Sequence, residues 1–146
     1  MQPDTSGVHL WLVLMKAHAA LEHVAMESIA NTGICLTDFK ILEILLHRGA
    51  LPVNTLAATV GLTSGSATAA IDRLAARGLV ERKTSAQDRR ERVVHPTESG
   101  GALAASAFER HSQDMEAVAN VLNDAERLQL LDLLRRFGKK ALSTEN

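Results

Sequence analysis

Two neighbouring segments of this 146-residue chain carry side chains suited to contacting a nucleic acid. In residues 63–69 (TSGSATA) every side chain is small and four carry a hydroxyl group. Hydroxyls can bond phosphate oxygens or base edges, and small side chains allow a helix to approach DNA closely. Residues 88–92 (DRRER) are rich in arginine, which binds phosphates and narrow minor grooves. The order of the two segments predicts a reading helix followed by a basic hairpin.

Basic residues are concentrated around these two segments, although the formal net charge of the whole chain is −1. Only four acidic residues lie between Ile71 and Val93. The same segment holds seven basic residues: Arg73, Arg77, Arg82, Lys83, Arg89, Arg90 and Arg92. Exposed charges are screened over roughly 8 Å at physiological salt, so the local charge decides what binds there. We therefore expect this stripe to contact DNA rather than to be only a solvated face.

The same residues give little support for other kinds of chemistry. No nucleophile–base arrangement, phosphate-binding loop or carboxylate pair is found, so we expect neither an enzyme nor a cofactor. No two of the six histidines are spaced His-x-x-x-His, and we expect no metal site. Cys35 is the single cysteine, which excludes an internal disulfide, and we expect its thiol to be buried and inert. Redox or metal sensing is kept as an alternative.

A helix must present the small and hydroxyl-bearing residues. The pattern predicts this helix over Ser64–Arg77, with the Thr63 hydroxyl as its N-cap. Its narrow apolar face is expected to pack inward: Ala67, Ala70, Ile71 and Leu74. A shorter helix precedes it, with Pro52 in the first turn and Gly61 at the end. This arrangement is typical of a helix-turn-helix.

Two strands are predicted after the reading helix, over Leu79–Lys83 and Arg92–His95, with a polar loop between them. Pro96 closes the second strand, and because proline has no backbone N–H donor, we expect an edge at that position. Arg90 lies in the loop. It is expected to contact DNA, the alternative being that it pairs with Asp72 or Asp88 and shapes the hairpin.

Four further helices are predicted by the spacing of apolar residues, over Val8–Ala30, Asp38–His47, 98–122 and Asp124–Leu142. Thr37 and Thr97 are the expected N-caps of the second and third of these, and Gly33 is expected to end the first in the left-handed conformation. Asn123 and Glu126 have the spacing of a capping box before the last helix.

These elements predict a mainly α fold with a small β-hairpin wing (α+β). A winged helix-turn-helix module over residues 36–97 would be flanked by dimerisation helices at 8–31 and 98–142, in a single domain spanning 1–146. Leu10–Met15 are apolar on every side, and neither chain end can bury itself well on so small a module. A homodimer would bury both ends and hold two reading helices roughly 34–36 Å apart.

The chain resembles the multiple-antibiotic-resistance regulator (MarR) family of winged helix-turn-helix transcription factors, from about Val8 to Leu142. Four segments carry the resemblance: Leu36-Thr37, then Leu56-Ala57 with Val60-Gly61-Leu62, then Asp72-Arg73-Leu74 with residues 77–82, then Asp88-Arg89-Arg90 with Thr97-Glu98-Ser99-Gly100. The resemblance implies a homodimer on a pseudo-palindromic double-stranded DNA operator, usually acting as a repressor. It also implies that a small, partly apolar effector weakens DNA binding.

Position by position, the resemblance assigns the DNA contacts to the following residues. The residues expected to face the major groove, the major-groove set, are Ser64, Ser66, Thr68 and Ala69. Arg73 is expected to reach a phosphate. The residues expected to contact DNA from the wing, the wing set, are Arg89, Arg90 and Arg92. It does not define the effector site, for which Trp11, Met15 and His18 are candidates. Leu10–Met15 is too short to span a bilayer, so we expect a cytoplasmic protein without a membrane partner. A winged-helix module that binds proteins instead of DNA is a further alternative.

Overall fold

The computed structural model describes residues 3–144, which form six α-helices and a three-stranded antiparallel sheet. In chain order the elements are α1 (Gly7–Ile29), α2 (Leu36–Arg48), β1 (Leu51–Pro52), α3 (Val53–Val60), α4 (Ser64–Ala76), β2 (Val80–Thr84), β3 (Arg92–Pro96), α5 (Glu98–Ala119) and α6 (Asp124–Leu142). A short 3₁₀ turn, Ala30–Thr32, follows α1. The predicted mainly α fold with a small wing is confirmed.

Side-chain caps fix the starts of three helices as predicted. The Thr63 hydroxyl accepts a hydrogen bond from the backbone N–H of Ser66 at 3.2 Å, which starts α4. Thr97 caps α5 in the same way. At α6 the side chain of Asn123 accepts from the N–H of Glu126, and the Glu126 carboxylate accepts from the N–H of Asn123. These bonds satisfy donors that have no partner inside a helix.

The predicted start of α2 is wrong by two residues. Cys35 is the N-cap and makes no side-chain capping bond, while Thr37 lies inside the first turn. Gly33 takes φ 70° at the end of the 3₁₀ turn, the predicted left-handed cap. The chain then leaves this turn in extended conformation at Cys35 (φ −83°, ψ 167°), so the helix starts before the hydroxyl that the sequence pattern favoured.

The wing contains one strand more than the predicted hairpin. The strand order is β1-β3-β2, with Leu51 opposite Val94 on one side of β3 and Arg82 opposite Val94 on the other. Only Val93 and Val94 of β3 pair with β1, so β3 is an edge on that side at Pro96, as expected. The extra strand was missed because it has two residues, one of which, Pro52, also suits a helix start.

The core lies where α1, α2, α4 and α5 meet the sheet. Its largest fully buried apolar side chains are Ile29, Phe39, Ile41, Leu42, Leu45, Leu56, Ile71, Leu74 and Val94. All four residues of the predicted inner face of α4 are buried, at 0–1% exposure. Because this face is fixed against the core, the opposite face of α4 must point to solvent.

Much of α1 and all of α6 lie outside this core. Within the part of the chain that the structure describes, α6 has no buried residue, and no helix is long and apolar enough to cross a membrane. Many large apolar side chains on these helices are exposed, among them Leu10, Trp11, Leu14, Met15, Leu128, Leu131, Leu134 and Phe137. Contiguous apolar surface of this kind is typical of interfaces.

A close approach of backbone to backbone joins α5 to the wing. A Cβ atom added at Gly100 would lie 1.8 Å from the carbonyl oxygen of Leu79, whereas one added at Gly101 would meet nothing within 4 Å.

We therefore expect Gly100→Ala to lower the free energy of unfolding by about 1–3 kcal/mol, since the backbones must separate. Gly101→Ala is the control, and should raise it by up to about 1 kcal/mol through helix propensity.

Urea unfolding at equal protein concentration measures both variants. Equal midpoints for the two would show that α5 does not need glycine at the Leu79 contact.

Candidate nucleic-acid interface

The front of α4 presents the small polar residues that the sequence analysis selected. Ser64, Ser66, Thr68 and Ala69 are all exposed, while Ala67 among them and Ala70 directly after them are buried. The hydroxyl of Ser66 accepts a hydrogen bond from the hydroxyl of Thr63 at 2.9 Å, so it belongs to the cap of the helix as well as to its exposed face. The structure thus leaves all four predicted residues accessible from solvent.

An ion pair that the sequence analysis did not assign fixes the wing to α4. The Arg82 guanidinium on β2 lies 2.6 Å from the Asp72 carboxylate on α4 and also donates to the carbonyl oxygen of Thr68 at 3.4 Å. The sequence analysis gives Asp72 as an alternative partner for Arg90. The strand register decides otherwise, because it places Arg82 opposite buried Val94, alongside α4, and Arg90 out in the loop.

The loop of the wing is held by its own backbone. The Asp88 carboxylate accepts a hydrogen bond from the backbone N–H of Arg90 at 2.8 Å, and the Asp88 carbonyl accepts from the N–H of Glu91 at 3.1 Å. The N–H of Ser85 donates to the carbonyl of Glu91 at 3.0 Å and closes the loop. Asp88 therefore shapes the turn through the main chain of Arg90 and not through its guanidinium.

Three exposed arginines remain at this end of the molecule: Arg89, Arg90 and Arg92. Over residues 3–144, the ion pairs include none of these three, whereas Arg73, Arg82 and Lys83 all have carboxylate partners. Arg92 donates one hydrogen bond, to the Thr84 hydroxyl at 3.1 Å. Their positive charge is thus available to an external anion.

A groove of about 820 Å³ separates α4 from the wing. Its walls are Thr68 and Asp72 on one side and the wing on the other, and the start of α3 forms the rest. The complete lining is Pro52, Val53, Asn54, Thr68, Asp72, Arg82, Asp88, Arg90, Glu91 and Arg92. The groove therefore joins part of the predicted major-groove set to part of the predicted wing set.

Arg73, which is expected to reach phosphate, is exposed but pairs with a carboxylate on α2. Its Nη2 and Nε atoms lie 2.6 Å and 3.3 Å from the two carboxylate oxygens of Asp38 on α2. Hydrogen bonding to Asp38 raises the pKa of Arg73, and the Asp38 side chain is only 7% exposed. This guanidinium already has a bidentate carboxylate partner, but its side chain is 52% exposed, so the phosphate contact of Arg73 stays a prediction.

Cys35 is exposed, contrary to the expected burial. Its neighbour Ile34 is buried, and the extended backbone at the start of α2 turns the next side chain outward. The Cys35 sulfur lies 3.9 Å from Nη2 of Arg73. A single thiol beside a guanidinium leaves the redox-sensing alternative as a hypothesis.

A smaller cavity of about 220 Å³ lies between α1, α2 and α5. Its lining is His18, Leu21, Glu22, Ala25, Leu36, Phe39, Lys40, Glu43, His111 and Met115. The Nδ1 atom of His111 is buried and has no hydrogen-bond partner among the described residues, and its ring meets Phe39 edge-on at 5.4 Å. Of the three effector candidates, His18 lines this cavity, and Trp11 and Met15 do not.

No group of three His, Cys, Asp or Glu side chains that could hold a metal ion is found between residues 3 and 144. The histidine and cysteine side chains considered as metal ligands therefore do not form such a group in that part of the chain.

Comparison with known proteins places this geometry in a family. The MarR family model matches residues 34–92. The "HTH-type transcriptional regulator MhqR" of Bacillus subtilis (strain 168) is 31% identical over 140 residues, which cover 96% of this chain and 97% of that protein. This is similarity over essentially the full length of both proteins.

Two solved structures show the same fold. A mutant MarR from E. coli complexed with operator DNA has a TM-score of 0.82 at 22% identity, covering 89% of this chain and 94% of its own. Bordetella bronchiseptica BpsR, whose DNA binding is regulated by 6-hydroxynicotinic acid, has a TM-score of 0.79 at 24% identity, covering 89% and 98%.

Proposed function

This chain belongs to the MarR family of winged-helix transcription regulators, and we propose that it represses transcription as a homodimer bound to a pseudo-palindromic DNA operator. One observation carries the proposal. Thr68 on the exposed side of α4 and two wing arginines that lack carboxylate partners within residues 3–144, Arg90 and Arg92, line one open groove. Such a pairing suits a duplex, because a helix can enter the major groove while a wing follows the backbone beside it.

In this proposal the two sides of the groove have different tasks. Ser64, Ser66, Thr68 and Ala69 face the major groove, where hydroxyls and small side chains reach base edges or phosphates. Arg89, Arg90 and Arg92 bind phosphates, and one of them enters the narrow minor groove of an A/T tract. Asp72 and Asp88 do not repel the duplex strongly, because Arg82 neutralises the first and the loop backbone engages the second.

The second element of the proposal is a homodimer built from α1 and α6. These helices expose their large apolar side chains, and α6 packs on no other element to a substantial extent within residues 3–144. A second copy would cover this surface and supply the same surface in return, since twofold interfaces use one patch on both subunits. The symmetry would place two copies of α4 on one face of the duplex.

The cavity between α1, α2 and α5 is the best place for the proposed effector. It is walled by apolar side chains such as Phe39 and Met115 and holds the polar groups of Lys40, His18 and His111. The unpartnered Nδ1 of His111 offers a hydrogen bond that a ligand could complete. An occupant that changes the spacing of α1 and α5 from α2 would alter how the DNA-binding elements are held. The effector is therefore small and partly apolar.

The wing contact is tested by Arg90→Ala in fluorescence anisotropy with duplexes selected by the wild-type protein from a random-sequence pool. We expect weaker binding and a plot of log affinity against log salt that is flatter by about 0.9, because one phosphate contact releases about one counterion. Arg110→Ala, an exposed arginine on α5, is the control and should change neither quantity.

An unchanged salt dependence in Arg90→Ala would rule out the phosphate contact by this residue. Failure of the wild-type protein to select any duplex would favour a winged helix that binds proteins.

The dimer is tested by Leu131→Lys on α6, where the native side chain is 47% exposed. A buried ammonium in the proposed interface has no partner, so we expect sedimentation equilibrium to show dissociation to monomers at concentrations where the wild type is dimeric. Gln129→Lys, a polar position of the same helix, should stay dimeric. Dimers of equal stability in both variants would place the interface elsewhere.

The redox alternative is favoured only by the exposure of Cys35 next to Arg73. Under it, hydrogen peroxide oxidises the thiol to a sulfenic acid with release of water, and DNA binding by the wild type falls. The Cys35→Ser protein would then keep its affinity in the same assay. Equal responses of the two proteins to peroxide would remove the alternative.

A further inference from the structure

The side chain of Arg77 links the end of α4 to the end of α1. Its Nη1 donates to the carbonyl oxygen of Gly33 at 3.0 Å, and its Nη2 donates to the carbonyl oxygen of Thr32 at 3.1 Å. Carbonyls at the end of a helical segment lack partners within the helix and carry partial negative charge. The planar guanidinium can satisfy both of them at once. We call this contact of Arg77 with Thr32 and Gly33 the α4–α1 strut.

The strut joins two elements that share only α2 as a substantial packing neighbour. α1 packs mainly on α5, while α4 packs mainly on α3, β2 and α2. One turn before Arg77, Arg73 pairs with Asp38, which anchors α4 to the first turn of α2. The chain passes from α1 into α2 through Gly33, whose φ of 70° marks a turn and not a continuous helix. The strut therefore ties α4 to the turn that connects α1 with α2.

Arg77 is badly placed to bind the DNA that α4 would read. It lies at the C-terminal end of α4, 13 residues after Ser64, which is about 20 Å along the helix. Both ends of its fork already face protein carbonyls. Arg77 is one of the seven basic residues of the stripe, but its guanidinium contacts protein carbonyls.

We propose that Arg77 is a positioning residue that fixes the angle between α4 and α1 and so sets the half-site spacing that the dimer accepts. This inference rests on the proposed function, in which α1 is held in the dimer interface and α4 enters the major groove. Rotation of α4 relative to α1 would change the distance between the two copies of α4. One base pair of spacing is a shift of about 3.4 Å and a turn of about 35°, so a modest loss of angular control alters spacing preference.

The experiment uses a duplex that the full-length wild-type protein selects from a random pool, with versions carrying one base pair more or fewer between the half-sites. Affinities of the wild type, Arg77→Ala and Arg77→Lys are measured at two salt concentrations. Lysine keeps the charge but cannot bridge both carbonyls as a fork. Arg110→Ala is the control, and urea unfolding and sedimentation show whether each variant is folded and dimeric.

We expect Arg77→Ala to lose about threefold to tenfold in affinity for the selected duplex and much less for the two altered ones, the size of effect typical of residues that couple distant elements. Its discrimination between spacings therefore shrinks, while its salt dependence stays that of the wild type. Arg77→Lys should be intermediate in spacing discrimination. If Arg77→Ala does not fold, reduced spacing discrimination in folded, dimeric Arg77→Lys supports the strut.

Unchanged spacing discrimination in both folded variants would overturn the proposal. So would a salt dependence flatter by about 0.9 in Arg77→Ala, because Arg77 would then be a phosphate contact. A uniform loss of affinity on all three duplexes would also overturn it, since the arginine would then act on affinity alone. A wild-type protein that selects no duplex would instead overturn the proposed function on which the inference rests.

Discussion

Burial of one narrow apolar face of α4 is the interaction on which the rest of the structure depends. Ala67, Ala70, Ile71 and Leu74 are almost completely buried against α2, α3 and the sheet. Two of these side chains are methyl groups, so α4 can lie close to its neighbours without large cavities. With this face fixed, the other residues of the helix face solvent or, as Asp72 and Arg73 do, pair with charged groups on neighbouring elements. The exposed hydroxyl side chains of α4 follow from the packing of the residues between them.

The carboxylates of α2 and α4 determine which arginines are paired and which are accessible to an external anion. Asp38 holds Arg73, Asp72 holds Arg82, and Asp88 holds the backbone of the wing loop. The Arg82–Asp72 pair is accessible to solvent and contributes little to the free energy of folding, so its effect is on orientation, whereas Asp38 is nearly buried and depends on Arg73 for its partner charge. These pairs leave the arginines of the wing tip with their guanidinium groups exposed. A chain of net charge −1 can thus present a locally basic edge to an anion.

Within residues 3–144, the exposed apolar surface of α1 and α6 and the Nδ1 of His111, which has no hydrogen-bond partner, are two unsatisfied features that need different partners. Exposed leucines on α6 and on the outer side of α1 call for a macromolecular surface, which a second copy would supply in the proposed dimer. A buried imidazole nitrogen calls for a hydrogen-bonding group of small size. The cavity around His111 adjoins both α1 and α2, so it lies where the proposed dimer and the proposed DNA-binding elements meet.

The sequence by itself determined the features that depend on near neighbours in the chain. The ends of α4 and α6, the caps at Thr63, Thr97 and Asn123, and the left-handed turn at Gly33 follow from hydrogen bonds and dihedral preferences within a few residues. Periodicity likewise identified the buried face of α4, because it needs only the helical repeat. The basic character of residues 88–92 needed no structure.

Only the tertiary structure decided contacts between residues far apart in the chain. Arg73 with Asp38, Arg77 with Gly33 and Arg82 with Asp72 depend on how α4 lies against other elements, and an arginine in the sequence does not reveal its partner. The two-residue β1 exists because β3 offers it a partner, and Cys35 is exposed because the turn after α1 directs it outward. Local propensity carries no information on such contacts, since they arise only after the helices have packed.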